Sequence, residues 1–138
     1  MNYRVILTIF QNILRIMKIY RIAQEESAEQ TIQAYHGTNK PFETFDRNFS
    51  AQGVFWFSDD INEIIGGTSG ANSSKYILSV DLRVKNIAGW EEYEKLFLQQ
   101  IEDNGFDSIN LDHNWVIFDS SRIAIRKVMK RQEDGSYQ

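Results

Sequence analysis

Of the two histidines in the 138-residue chain, His36 lies in "AYHGTNKPF", between a strand-like run and the only proline. A strand ending in His36-Gly37-Thr38 leaves an imidazole at a sheet edge, where it can donate or accept a hydrogen bond. Gly37 has no side chain to keep a ligand from its own N–H and C=O. That pair suits a planar amide and a sugar hydroxyl, and the competing reading is a hydrogen-bonded structural histidine. A second segment, "GVFWFSDD", sets Phe55, Trp56 and Phe57 in succession. Alternate strand residues face opposite ways. With Phe55 and Phe57 inward, Trp56 is free to stack on a ring; the ordinary alternative is that all three pack in the core.

Composition narrows the chemistry. A formal charge of -4 argues against general nucleic-acid binding, which announces itself as a basic patch. Without cysteine there is no disulfide framework, thiolate nucleophile or thiolate zinc site, and two histidines make other zinc sites unpromising. Small molecules or proteins are the favoured partners. A chain that is 42% apolar and 13% aromatic can build one core.

Several elements must position these residues. Within residues 1–30, Ile6, Ile9, Phe10, Ile13, Leu14, Met17 and Tyr20 recur at helical spacing, and over the first 23 residues Arg4, Arg15, Lys18 and Arg21 are unopposed by any acid. This predicts an accessory amphipathic helix and linker, packed on the domain, on a partner or in a dimer, with a basic membrane-surface helix as the alternative. It is too short and polar to span a bilayer. Met17 itself opens a plausible N-terminus. Residues 31–130 form the predicted domain: a strand to Gly37, a surface loop with Phe42 and Phe45 turned inward, and a strand over "GVFWFS". Next comes a helix capped by Ser58 and stopped at Gly66-Gly67, followed by a flexible "TSGANSS" loop. A long strand over Lys75–Val84, one helix from Trp90 to Gly105 and two or three short strands complete it. Residues 131–138 read as a frayed polar tail. Irregular alternation of strands and helices favours an α+β domain of split antiparallel sheets with flanking helices.

Taken together, "YHGT", "GVFWFSDD" and "GFDSINLDHNWVIFDSSRI" resemble the three signature blocks of the ADP-ribosyltransferase fold of the diphtheria-toxin and poly-ADP-ribose-polymerase type, and especially small domains from phages and mobile elements. The likeness covers Ala34 to Ile125. It implies NAD as substrate, with its nicotinamide amide on the Gly37 backbone, a ribose hydroxyl on His36 and the ring stacked at Trp56. Thr38 and Ser58 lie in the corresponding binding blocks. The implied reaction breaks the glycosidic bond through an oxocarbenium-like cation, captured by a macromolecular target, a host protein by analogy. The producing or infected cell's cytoplasm is the implied location.

Two departures accompany the likeness. Aligning "FDSSRI" with the family's third block puts Asn114 where efficient transferases carry glutamate, and Trp56 where they carry the stacking tyrosine. Asn114 can hold a hydroxyl but brings no charge to the cation. Asp112, two residues earlier, would supply a carboxylate on the same face if the strand already runs there; otherwise it is a turn aspartate. Arg122 stands where relatives often show glutamine, either as a surface charge or as a contact to NAD phosphate or target. The rival function is a weak or inactive binding module using the same cleft for NAD, ADP-ribose or a protein. Phosphotransfer from RNA to NAD is disfavoured by the acidic charge.

Overall fold

The computed structural model describes residues 3–26, 28–67 and 74–138. The "TSGANSS" loop lies outside them except for Ser74. Helix α1 (Tyr3–Glu26) is followed by strands β1 (Gln30–Thr38) and β2 (Phe55–Ser58), helix α2 (Ile61–Ile65), and strands β3 (Tyr76–Val84) and β4 (Ile87–Ala88). Helices α3 (Trp90–Lys95) and α4 (Leu98–Asp103) precede β5 (Ser108–Leu111), β6 (Asn114–Ile117) and β7 (Ile123–Lys130). The domain is α+β.

The expected split sheets are instead one hydrogen-bonded sheet, in the order β4-β5-β6-β2-β1-β3-β7. All pairs are antiparallel except β4 with β5. The sheet is nonetheless weakly joined in the middle. β1 pairs with β3 along its whole length, from Gln30↔Val84 to Thr38↔Tyr76, but meets β2 only at Tyr35↔Ser58. Beyond that point the two strands part.

Strand alternation sorts the apolar side chains into two cores. Ala34, Phe55, Phe57, Leu78, Val80, Leu82, Trp115 and Ile117 form one, into which the loop after β1 sends Phe45, with Phe42 packed beside it. On the opposite face Val54, Ile109, Leu111 and Val116 pack against Ile101 of α4, with Tyr93 and Leu96 alongside. The single helix predicted from Trp90 to Gly105 is two, because Leu96 is extended (φ -121°, ψ 151°). Phe97 then starts α4 instead of joining the apolar face: its N–H donates to the Gln100 side chain at 2.9 Å, and its ring is 80% exposed.

Two other expectations change. The tail is folded back rather than frayed, with Arg131 bridged to Tyr137 and the Tyr137 hydroxyl donating to the Ser74 carbonyl. The described apolar side chains of helix α1 lie outside both cores: Ile6, Ile9, Phe10, Ile13, Leu14 and Met17 are 48–61% exposed. Apolar periodicity predicts the helix but not what covers its face.

Candidate functional site

Where β1 and β2 part, a cleft of about 1200 Å³ opens, lined by Tyr35 to Phe42 and by Val54 to Ser58, with Phe49, Asp46 and Asn114 at its margin. This exceeds the roughly 300–1,000 Å³ of ordinary small-molecule sites. The strand separation explains its position, because beyond Tyr35 no ladder occupies the β2 side of β1.

His36 bridges the gap. Its Nδ1 lies 2.7 Å from the Trp56 carbonyl oxygen, and its ring sits edge-on or tilted among Phe42, Phe45 and Phe57 at centroid distances of 6.1, 5.2 and 5.5 Å. A carbonyl can only accept, so Nδ1 carries the proton. Burial among the aromatics lowers the His36 pKa, opposed in part by the bond to Trp56, and the imidazole is neutral at pH 7. Nε2 is thereby left as an acceptor. It has no partner among the described residues, yet no described buried side-chain nitrogen or oxygen lacks one, so Nε2 is accessible, on a residue that lines the cleft. The structural and ligand-binding readings of His36 are compatible, since one ring nitrogen serves each.

Gly37 and Thr38 continue the same wall, the Thr38 hydroxyl donating to the Lys40 carbonyl at 2.9 Å. Ser58 is buried opposite Asn114 in the β2–β6 ladder. The expected helix cap by Ser58 is made by Asp60, whose carboxylate accepts the Asn62 N–H. Ser58 instead accepts from the Asp60 N–H at 3.1 Å and donates to Glu63 Oε2 at 3.0 Å.

The Trp56 indole does not stand beside His36. It turns to the second core, edge-on to Tyr93 with centroids 6.3 Å apart, while Phe55 and Phe57 fill the first core. Trp56 reaches His36 through its backbone carbonyl. Asn114, two residues from the second-core Val116, shares that face by strand alternation. The cleft gathers both faces only because the sheet parts here.

Asp112 is the turn aspartate. β5 ends at Leu111 and β6 starts at Asn114, so Asp112 and His113 are the hairpin tip, with Asp112 at φ 59° and exposed. The strand does not run through Asp112, and it does not line the cleft.

His113 pairs through Nδ1 with Asp59 Oδ1 at 2.7 Å, and Trp115 Nε1 donates to the other Asp59 oxygen at 3.1 Å. The bond to Asp59, with that carboxylate's charge, raises the His113 pKa. Donor atoms of Asp60, Glu63 and His113 lie within 4.8 Å of one another, but the shift favours an imidazolium, which has no lone pair for a metal.

Arg122 is outside the cleft. Its guanidinium donates to Glu29 Oε1 and to the Arg83 carbonyl, each at 3.0 Å, and lies 3.8 Å from Asp107. Asp107 in turn accepts the Lys85 and Asn86 N–H groups at the turn after β3. Arg122 therefore clasps the start of β1 to the end of β3.

Two cleft residues escape sequence reasoning. Phe49 is 91% exposed on a one-turn 3-10 helix at the rim, and Lys40 is the sole Lys or Arg among the described lining residues. "HGTNK" holds a signal for Lys40, four residues beyond His36; nothing in "DRNFS" separates Phe49 from an inward-facing phenylalanine. Compared with known proteins, the chain matches no family model and no curated protein.

Proposed function

We propose that the cleft binds NAD and that the chain is an ADP-ribosyltransferase-like protein, transferring ADP-ribose to a macromolecular target. The observation that carries this reading is His36: a neutral imidazole, fixed as an Nδ1 donor by the Trp56 carbonyl, offers Nε2 to a ribose hydroxyl beside the open backbone edge at Gly37. Lys40 is the natural partner of the pyrophosphate, and Phe49, rather than Trp56, is the exposed ring available for stacking. The resemblance of the three sequence blocks narrows a general nucleotide cleft to NAD.

A second reading, binding without turnover, rests on a specific feature. Asp46 is the one acid among the described lining residues, and its carboxylate accepts the Asn48 N–H. With Asn114 neutral and Asp112 at the hairpin tip, the described lining residues offer no carboxylate besides Asp46 to stabilise an oxocarbenium ion. The test has two arms. Millimolar NAD should raise the melting temperature of wild type but not of His36→Phe. Labelled NAD with a bacterial lysate should then mark a macromolecule for a transferase and none for a binder. Absence of any NAD response in wild type would remove both readings.

A further inference from the structure

Helix α1 has a charge and a face that the cleft does not use. Over residues 4–18, projected at about 100° per residue, Arg4, Thr8, Gln11, Arg15 and Lys18 fall within an arc of roughly 80°, while Val5, Ile6, Leu7, Ile9, Phe10, Ile13, Leu14, Ile16 and Met17 fill an opposite arc of about 200°; the pattern ends before Arg21 and Ile22, which fall in the apolar and the polar arc respectively. No acid appears before Glu25. The nine apolar side chains are 44–64% exposed, and neither core of the domain includes one. The helix is not long and apolar enough to cross a membrane.

Two occupants fit an uncovered apolar helix face, a second copy of the chain or a lipid surface. A partner helix covers a stripe of about 100°, which leaves half of this arc in water. An acyl layer covers the whole arc, because it has no shape of its own. Charge makes the same choice: from Arg4 to Lys18 the polar arc carries three cations and no acid, complementary to anionic headgroups lying along it. We infer that α1 lies in the surface of an anionic phospholipid bilayer, its apolar arc in the acyl boundary and Arg15 and Lys18 among the phosphates.

The full chain should sediment with phosphatidylcholine vesicles containing about one third phosphatidylserine and far less with phosphatidylcholine alone. Ile13→Asp should abolish association. Arg15→Gln with Lys18→Gln should weaken it roughly thirtyfold, or fivefold for each cation removed. All three substitutions sit on exposed positions, so the unfolding midpoint of the domain should not move. Equal partition onto both vesicles, or onto neither, overturns the inference. A dimer in solution that Ile13→Asp dissociates, without vesicle binding, assigns the face to a second copy instead. None of these results depends on the response to NAD.

Discussion

Replacing His36 by phenylalanine separates the hydrogen bond of this residue from its packing. A benzyl ring fits among Phe42, Phe45 and Phe57, whose centroids surround the imidazole at 5.2–6.1 Å. What disappears is the donor to the Trp56 carbonyl. Leaving one partner of a part-buried bond unsatisfied costs about 1–3 kcal/mol, and that is the stability loss expected at pH 7.5. The loss should shrink in acid. Burial holds the folded His36 pKa below the ordinary value, so between the folded pKa and about 6.5 the unfolded wild-type chain binds the extra proton. Stability of wild type therefore falls as pH falls through this window, by at most about 1.4 kcal/mol per pH unit, while the variant lacks this contribution. Urea unfolding followed by tryptophan fluorescence at pH 7.5 and 5.5 measures both gaps, and titrations common to the two proteins cancel in the difference. Equal stability at pH 7.5, or a gap that is the same at pH 5.5, would refute both the donor assignment and the neutral imidazole.

His113→Gln should act in the opposite sense: the raised pKa means that its contribution is present below about pH 6.5 and lost as pH rises through the folded value, so the variant should be less stable than wild type in acid and converge with it in alkali, as pH-dependent urea unfolding would record. Arg122→Met should cost about 1–2 kcal/mol by removing a clasp of charge-assisted bonds, with NAD affinity unchanged by calorimetry; a selective loss of affinity would restore the phosphate contact. Asp112→Gly relieves a left-handed residue at an exposed tip, so thermal melts should show it up to about 1 kcal/mol more stable, and any NAD turnover should persist. A chain beginning at Met17 should keep the unfolding free energy within about 0.5 kcal/mol, since the removed side chains whose exposure is described lie outside both cores.

Much of the domain was legible because its signals are local. Alternation marks β1 and β3, and Gly66-Gly67 closes α2, Gly67 taking the φ of 75° that favours glycine. The break at Leu96 was not legible, because the apolar period continues through it and only the Gln100 side chain, bonded to the Phe97 N–H, marks a new start. At the site, His36 and Gly37 follow from one strand end. The direction of Trp56 does not: alternation separates it from Phe55 and Phe57 but cannot tell a solvent face from a second core, which α3 and α4 supply from 34 or more residues further along. Arg122 is likewise defined by Glu29 and Asp107, distant in sequence and adjacent only after folding.

The joint between β1 and β2 also sets how the domain can move. Within each half, long ladders resist sliding, because any displacement breaks several hydrogen bonds at once. Between β1 and β2 themselves the described residues supply one strand pair and the His36 bond, backed by apolar contacts that tolerate small rotations because they have no preferred direction, while Arg122 and Asp107 tie the halves at the far end of β3. Opening should therefore be concentrated there. In amide exchange the two halves would behave as separate cooperative units, with the fastest exchange among strand residues at Gly37 and Thr38. A ligand spanning the gap would couple the halves and slow exchange in both, so the hinge and the binding wall would be the same few residues.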